Sequence, residues 1–242
     1  MCCILTLEFS IERGGRVVHG DQTAIPSRFR DRAHAGRCLG SLLSRYAGRD
    51  DVVVLALPRG GVPVGLEIAI ALPAPLDVCV VRKLGVPGHE ELAFGAVGRD
   101  GTRVLNDDVV RLAGLDDELI EEVAARECAE LERRELLYRG ERAPVPLEEK
   151  VVVLVDDGLA TGASMRAAIQ VVKISATARI VVAIPAGATE TCAALKREVD
   201  ELVCAIEPES FFAVSLWYEH FEQLTDTEVR ALLERAPGLG ER

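Results

Sequence analysis

The stretch Val151–Ser164, VVVLVDDGLATGAS, sets two carboxylates at the end of an apolar run and follows them with small residues and hydroxyls. In an open parallel sheet, ligands bind beyond the carboxyl ends of the strands, which is where Asp156 and Asp157 fall. Gly158, Ala160, Gly162 and Ala163 remove bulk, so backbone N–H groups can crowd around an anion. Thr161 and Ser164 add hydroxyl donors, and a helix beginning near Ser164 adds the favourable end of its dipole. A loop suited to a phosphate, beside acids suited to hydroxyls, fits a ribose 5-phosphate. Two plainer readings compete: an acidic helix cap, and the Walker B strand of an ATPase. No GxxxxGK[ST] occurs in the chain, so the ATPase reading lacks its phosphate loop.

The elements that must carry this loop show in the hydrophobic pattern. Apolar runs at Val52–Leu57, Leu76–Val81, Val151–Val155, Arg179–Ile184 and Glu201–Ile206 mostly lack alternation, as parallel strands covered on both faces do. Helical patterns lie between several of them, at Val62–Ala71, Ser164–Val172 and Thr189–Arg197. Another precedes the first strand, with Ala35, Leu39, Leu42, Leu43 and Tyr46 on one face. The alternation predicts an α/β fold, a Rossmann-like, mostly parallel sheet flanked by helices. Two segments depart from it. AFGAVGRDGTRVLND predicts an antiparallel hairpin turning at Arg99–Gly101. Residues 116–139 predict a long charged helix, read as an insertion with a solvated face and an apolar side of Ile120, Val123, Ala124, Cys128 and Leu131. Residues 1–27 have little periodicity and read as a loosely attached extension to a domain spanning 28–242.

Composition narrows the class. The formal charge of −11 disfavours non-specific nucleic-acid binding, and the apolar runs are too short to span a bilayer. The start MCCILTLEF has no basic region and makes a poor signal peptide. Seven cysteines include no CxxC and no Cys/His cluster, so they read as small hydrophobes in a reduced, cytoplasmic compartment.

The stretch around Asp156 and Asp157 resembles the phosphoribosyl-pyrophosphate (PRPP) signature of type I phosphoribosyltransferases: apolar strand, two acids, two variable residues, then x-T-G-x-[ST]. The resemblance implies that Asp156 and Asp157 hold the ribose hydroxyls, and that Ala160, Thr161, Gly162, Ala163 and Ser164 bind the 5-phosphate. PRGG at Pro58–Gly61 then resembles the pyrophosphate loop, where Arg59, Gly60 and Gly61 meet the leaving group and a strained or cis non-proline peptide is common. Arg82 and Lys83 bring two cations to the same sheet edge, where neutralising the leaving group lowers the barrier. LGVPGHEELAFG is similar to the mobile catalytic loop that closes over the site, with His89 and Glu90 at its polar tip. Residues 207–224 resemble the small hood that holds the acceptor, through Phe211, Phe212 and Trp217; the same aromatics would also serve as core packing. Ala160 and Trp217 stand where purine-salvage enzymes of the family have acids.

The resemblance implies a transfer of the 5-phosphoribosyl group of PRPP to a small nitrogenous acceptor, with release of pyrophosphate. It implies Mg²⁺ held mostly by PRPP oxygens and water, touching Asp156 and Asp157 indirectly, and a homodimer. A PRPP-sensing regulator without turnover is the alternative on the same fold.

Overall fold

The computed structural model describes residues 25–237. Of the extension expected at 1–27, all but residues 25–27 lies outside them. Five parallel strands make the main sheet: β1 (Val52–Ala56), β2 (Leu76–Val78), β6 (Val151–Val155), β7 (Arg179–Ala186) and β8 (Glu201–Ile206), in the spatial order β2-β1-β6-β7-β8. The intervening β3 (Arg82–Val86), β4 (His89–Val97) and β5 (Arg103–Leu105) form a separate antiparallel sheet.

The valine-rich runs form strands because β-branched side chains pack well on a pleated surface. Alternate residues supply the two faces. Val52, Val54, Ala56, Val151, Val153 and Val155 point to one core, under α1 (Arg32–Leu42), α2 (Gly61–Ala71), α4 (Asp117–Arg139) and α7 (Asp226–Glu234). Val53, Leu55, Val152 and Leu154 point to the other, under α5 (Ala163–Ile174) and α6 (Thr189–Leu195). Each fully buried valine is worth about 1.5–3 kcal/mol over an exposed one. The two-sided core is the reason these strands show no alternation in sequence.

Three elements differ from the sequence reading. The run at Leu76–Val81 keeps strand structure only to Val78, so Arg82 and Lys83 open β3 rather than closing a strand of the main sheet. The expected catalytic loop at Leu84–Phe94 is mostly ladder: β3 and β4 pair across it and leave only Pro87–Gly88 as the turn. The α4 helix is present with its apolar side buried, but its charges are not all solvated. Arg139 is buried against Asp77 at 3.1 Å, and Asp77 also accepts from the Val78 and Val145 N–H groups. That cluster ties the end of the inserted helix to the edge strand β2. The hairpin turning at Arg99–Gly101 forms as expected, and the short helix α3 (Asp107–Ala113) follows it.

Candidate active site

At the end of β6 the chain leaves the sheet, and Asp156 and Asp157 stand at its carboxyl edge. Asp157 donates its N–H to Asp156 Oδ1 at 2.8 Å, which turns the two side chains apart. Burial raises both carboxyls, and Asp156, which also feels the charge of Asp157, lies well above the usual range. The loop expected to hold the 5-phosphate follows. Leu159 bridges to Gly187 beyond β7, donating to the Ala186 carbonyl and accepting from Ala188 N–H. The Thr191 hydroxyl donates to the Ala160 carbonyl at 2.7 Å, and Arg166 reaches the Thr161 carbonyl. Gly162, at φ 73°, takes the left-handed turn that starts α5. Gly162 has no side chain to cap α5, and beyond a long 3.5 Å bond from Ala163 N–H to the Thr161 hydroxyl its first N–H groups stay available to an anion.

Facing this loop is the turn after β1. The Pro58–Arg59 peptide is cis, as the resemblance led one to expect. Gly60 lies so close to Asp157 that a Cβ there would collide with its carboxylate, and one on Gly61 would stand 2.6 Å from the Val155 carbonyl. Both glycines are therefore required by the approach of the two loops. Between them opens a cavity of about 210 Å³ lined by Leu57, Pro58, Arg82, Lys83, Asp156 and Ser164, with Arg134 of α4. A second cavity of about 210 Å³ adjoins it at Pro58 and Arg134 and holds Arg59, Arg133 and Tyr138. Glu130 ion-pairs both Arg133 and Arg134, and that pairing pulls its carboxyl down to about 2. In a chain of net charge −11, five cations, each ion-paired to a carboxylate, gather around two joined cavities that Asp156 and Asp226 also line.

The family profile of the phosphoribosyl transferase domain matches residues 32–216. The chain belongs to this family. Two Mycobacterium tuberculosis proteins, named as phosphoribosyl transferases on a provisional basis, are 50% identical over 208 residues, 86% of this chain. The match is 47% of their length, so the chain spans about half of these curated relatives. Among solved structures, TT1426 from Thermus thermophilus is 44% identical, with a TM-score of 0.80 over 87% of this chain and 100% of that one.

Within this phosphoribosyl transferase domain the expected residues fall into two groups. The aspartates, the phosphate loop, Arg59–Gly61, Arg82 and Lys83 converge at one sheet edge. His89 and Glu90 do not join them: His89 borders another cavity with Leu92, Leu112 and Leu115, and exposed Glu90 accepts from Gly88 N–H. Phe211 and Trp217 stack on each other at 6.1 Å, Phe212 is 85% exposed, and the buried Trp217 Nε1 has no partner among the described residues.

Sequence reasoning missed Arg32, Tyr218 as a support, and Arg134. Arg32 pairs with Asp157 at 2.8 Å, donates to the Glu222 carbonyl and stacks on Phe221. Tyr218 donates to the Asp157 carbonyl at 2.6 Å, and its backbone bridges to Phe29. The segment at 29–30 thus pairs with the hood residues and delivers α1, capped by Asp31, to the aspartates. The helix α7 was also missed, although Thr225 and Glu228 form a capping box that its sequence displays.

Proposed function

We propose that this domain binds PRPP with Mg²⁺ and transfers its 5-phosphoribosyl group to a small nitrogenous acceptor, releasing pyrophosphate. One observation carries the reading: the aspartate pair, the uncapped phosphate loop and a cluster of cations meet at joined cavities where only glycines fit. The 5-phosphate lies on the N–H groups of Ala160–Ser164, and the ribose hydroxyls lie on Asp156 and Asp157. Pyrophosphate lies toward Arg59, Gly60, Gly61, Arg82 and Lys83. The acceptor lies under Phe211, Phe212 and Trp217, and His89 and Glu90 close over it with the hairpin.

The acceptor nitrogen donates its lone pair to C1 of the ribose from the face opposite pyrophosphate. As that bond forms, the C1–O bond breaks and its electron pair leaves on the pyrophosphate oxygen, inverting C1. The transition state carries oxocarbenium character, as in glycoside chemistry. The protein contributes alignment and fixed charge: the cations meet the negative charge that grows on the leaving group, and the aspartates hold the sugar. The donor set suits Mg²⁺, since the cavity offers carboxylate oxygen and no thiolate or imidazole beyond the buried Cys79. Asp156 and Asp157 would hold the ion indirectly, and it would supply charge neutralisation of the pyrophosphate.

Calorimetry with PRPP and Mg²⁺, followed by pyrophosphate release over a panel of bases and amines, tests the reading. Binding that persists unchanged in folded Asp156→Ala/Asp157→Ala protein overturns the donor site. Binding without turnover on any acceptor would make the domain a PRPP sensor.

A further inference from the structure

Behind the phosphate loop, two cysteines and a carboxylate converge. Cys192 lies on α6 and is buried, Cys204 lies half-buried on β8, and Glu207 follows β8 at the surface. The two sulfurs and a Glu207 oxygen all lie within 4.8 Å of one another. The sulfurs meet over Gly187, where a Cβ would stand 2.6 Å from Cys192 Sγ and 3.4 Å from Cys204 Sγ. The missing side chain at Gly187 is what leaves room for both.

We propose that Cys192, Cys204 and Glu207 form a binding site for a thiophilic divalent cation of the zinc class. Two thiolates and a carboxylate are a borderline-soft donor set, and a d¹⁰ ion accepts the three with one further position for water. Tetrahedral coordination at metal–sulfur distances of about 2.3 Å sets the ligands about 3.5–3.8 Å apart. Ligand atoms that already lie within 4.8 Å of one another close by at most about 1 Å on binding. Lys196 Nζ lies 2.8 Å from Glu207 Oε1, so a bound metal would take over the carboxylate from the ammonium. The Cys192 thiol is lowered by its hydrogen bond with Cys204, while that bond and burial hold Cys204 up. Ligation takes a proton from each thiol, so binding strengthens as pH rises.

Glu207 distinguishes a cation site from a simple thiol pair, since a carboxylate adds nothing to a disulfide. Occupancy would fasten α6 to the end of β8. The same helix carries Thr191, whose hydroxyl holds the Ala160 carbonyl, so the cation braces the phosphate loop from behind. The site stands independently of which acceptor, if any, the domain uses.

The test is a Cd²⁺ titration of the whole chain, reading the ultraviolet thiolate-to-cadmium charge-transfer band, with Zn²⁺ competing. Cys2→Ser and Cys3→Ser are introduced first, because adjacent thiols at the start could bind the probe themselves. The expected result is one equivalent bound, with the band falling to roughly half in Cys204→Ser, as loss of one of two thiolates requires. Glu207→Gln should keep the full band and weaken binding at least about tenfold. Because Glu207 is at the surface and Cys204 half-buried, both variants can be checked for folding by circular dichroism. No band, or a band untouched by Cys204→Ser, overturns the proposal. So does a protein in which peroxide oxidises the pair to a disulfide but Cd²⁺ gives no band; the pair would then be a redox couple.

Discussion

Arg32 Nε stands 2.8 Å from Asp157 Oδ2, and the two side chains are only 12% and 15% exposed. They are 125 residues apart in the chain. Asp157 is nonetheless raised by burial, so the guanidinium offsets only part of the cost of ionising it. Arg32 is the positioning residue of the acid pair: it fixes the rotamer of Asp157 against Gly60 and keeps its charge available. Arg32→Met removes the buried partner and should cost about 3 kcal/mol of stability. It should also move the onset of PRPP binding to higher pH, since the unpaired Asp157 then holds its proton longer. Denaturant midpoints and calorimetry across a pH series check both, and a merely structural role would change the first without the second.

Asp156 carries the opposite liability. Its folded-state carboxyl lies well above the ordinary 3.8, because burial and Asp157 oppose its charge. The folded chain therefore holds a proton that the unfolded chain gives up, and stability falls as pH rises from about 3.8 toward the folded value. Asp156→Asn keeps the oxygen that accepts from Asp157 N–H and removes the charge. The variant should be more stable than the parent at pH 7, indistinguishable near pH 3–4, and unable to bind PRPP tightly. Thermal unfolding at the two pH values measures this, and equal stability at pH 7 contradicts it.

Arg134 comes from the inserted helix and borders both cavities. On the proposed function it meets the pyrophosphate end of the donor, not the ribose. Arg134→Gln should weaken PRPP roughly tenfold, about 1.4 kcal/mol, and leave ribose 5-phosphate affinity unchanged. Equal losses for both ligands would place Arg134 near the sugar.

The parallel sheet and the aspartate loop were legible because each is written locally. A run such as VVVLV reports burial on both faces, and the acids, glycines and hydroxyls after it lie within ten residues. Arg32 and Arg134 were not legible, because nothing local separates them from other charges. Arg32 sits in a helix with Arg37, and Arg134 in one with Arg126, Arg133 and Arg139. Only the tertiary fold decides which of these charges faces a cavity. The buried Asp77–Arg139 pair was hidden in the same way, as a strand residue and one more helix cation. The hairpin at Leu84–Phe94 was expected to be a loop because Gly85, Pro87 and Gly88 read as loop residues. In the ladder Gly85 instead lies so close to Glu90 that a Cβ would stand 2.7 Å from its carbonyl oxygen, with a register shift at that point.

That register shift sets the next expectation. The base of the hairpin, at Arg82 and Lys83, lines the donor cavity, while Pro87, Gly88 and His89 lie at its far end. On the proposed function, the irregular pairing around Gly85 is where the tip would bend over the site. Hydrogen exchange at Val86–Leu92 should slow when PRPP and an acceptor analogue bind together. Unchanged exchange would leave the hairpin as a fixed ornament of the fold.

On the proposed function, the choice of acceptor turns on what Ala160 and residues 207–224 lack. The Ala160 side chain has no polar atom and its carbonyl is already taken by Thr191, while Trp217 offers an indole N–H and a ring face. A purine read through acidic side chains would leave its donors unpaired here, a mismatch that can cost several orders of magnitude in discrimination. Trp217 Nε1 is a buried donor with no partner among the described residues, so the indole gives a purine N–H nothing to donate to. Hypoxanthine and guanine should therefore be poor substrates, with another nitrogenous acceptor preferred. Phe211 and Trp217, already stacked, supply shape and a ring face instead of an edge to read. Steady-state kinetics settles it: kcat/KM for either purine at or above about 10⁴ M⁻¹s⁻¹ would mean that Ala160 and Trp217 do not exclude these bases.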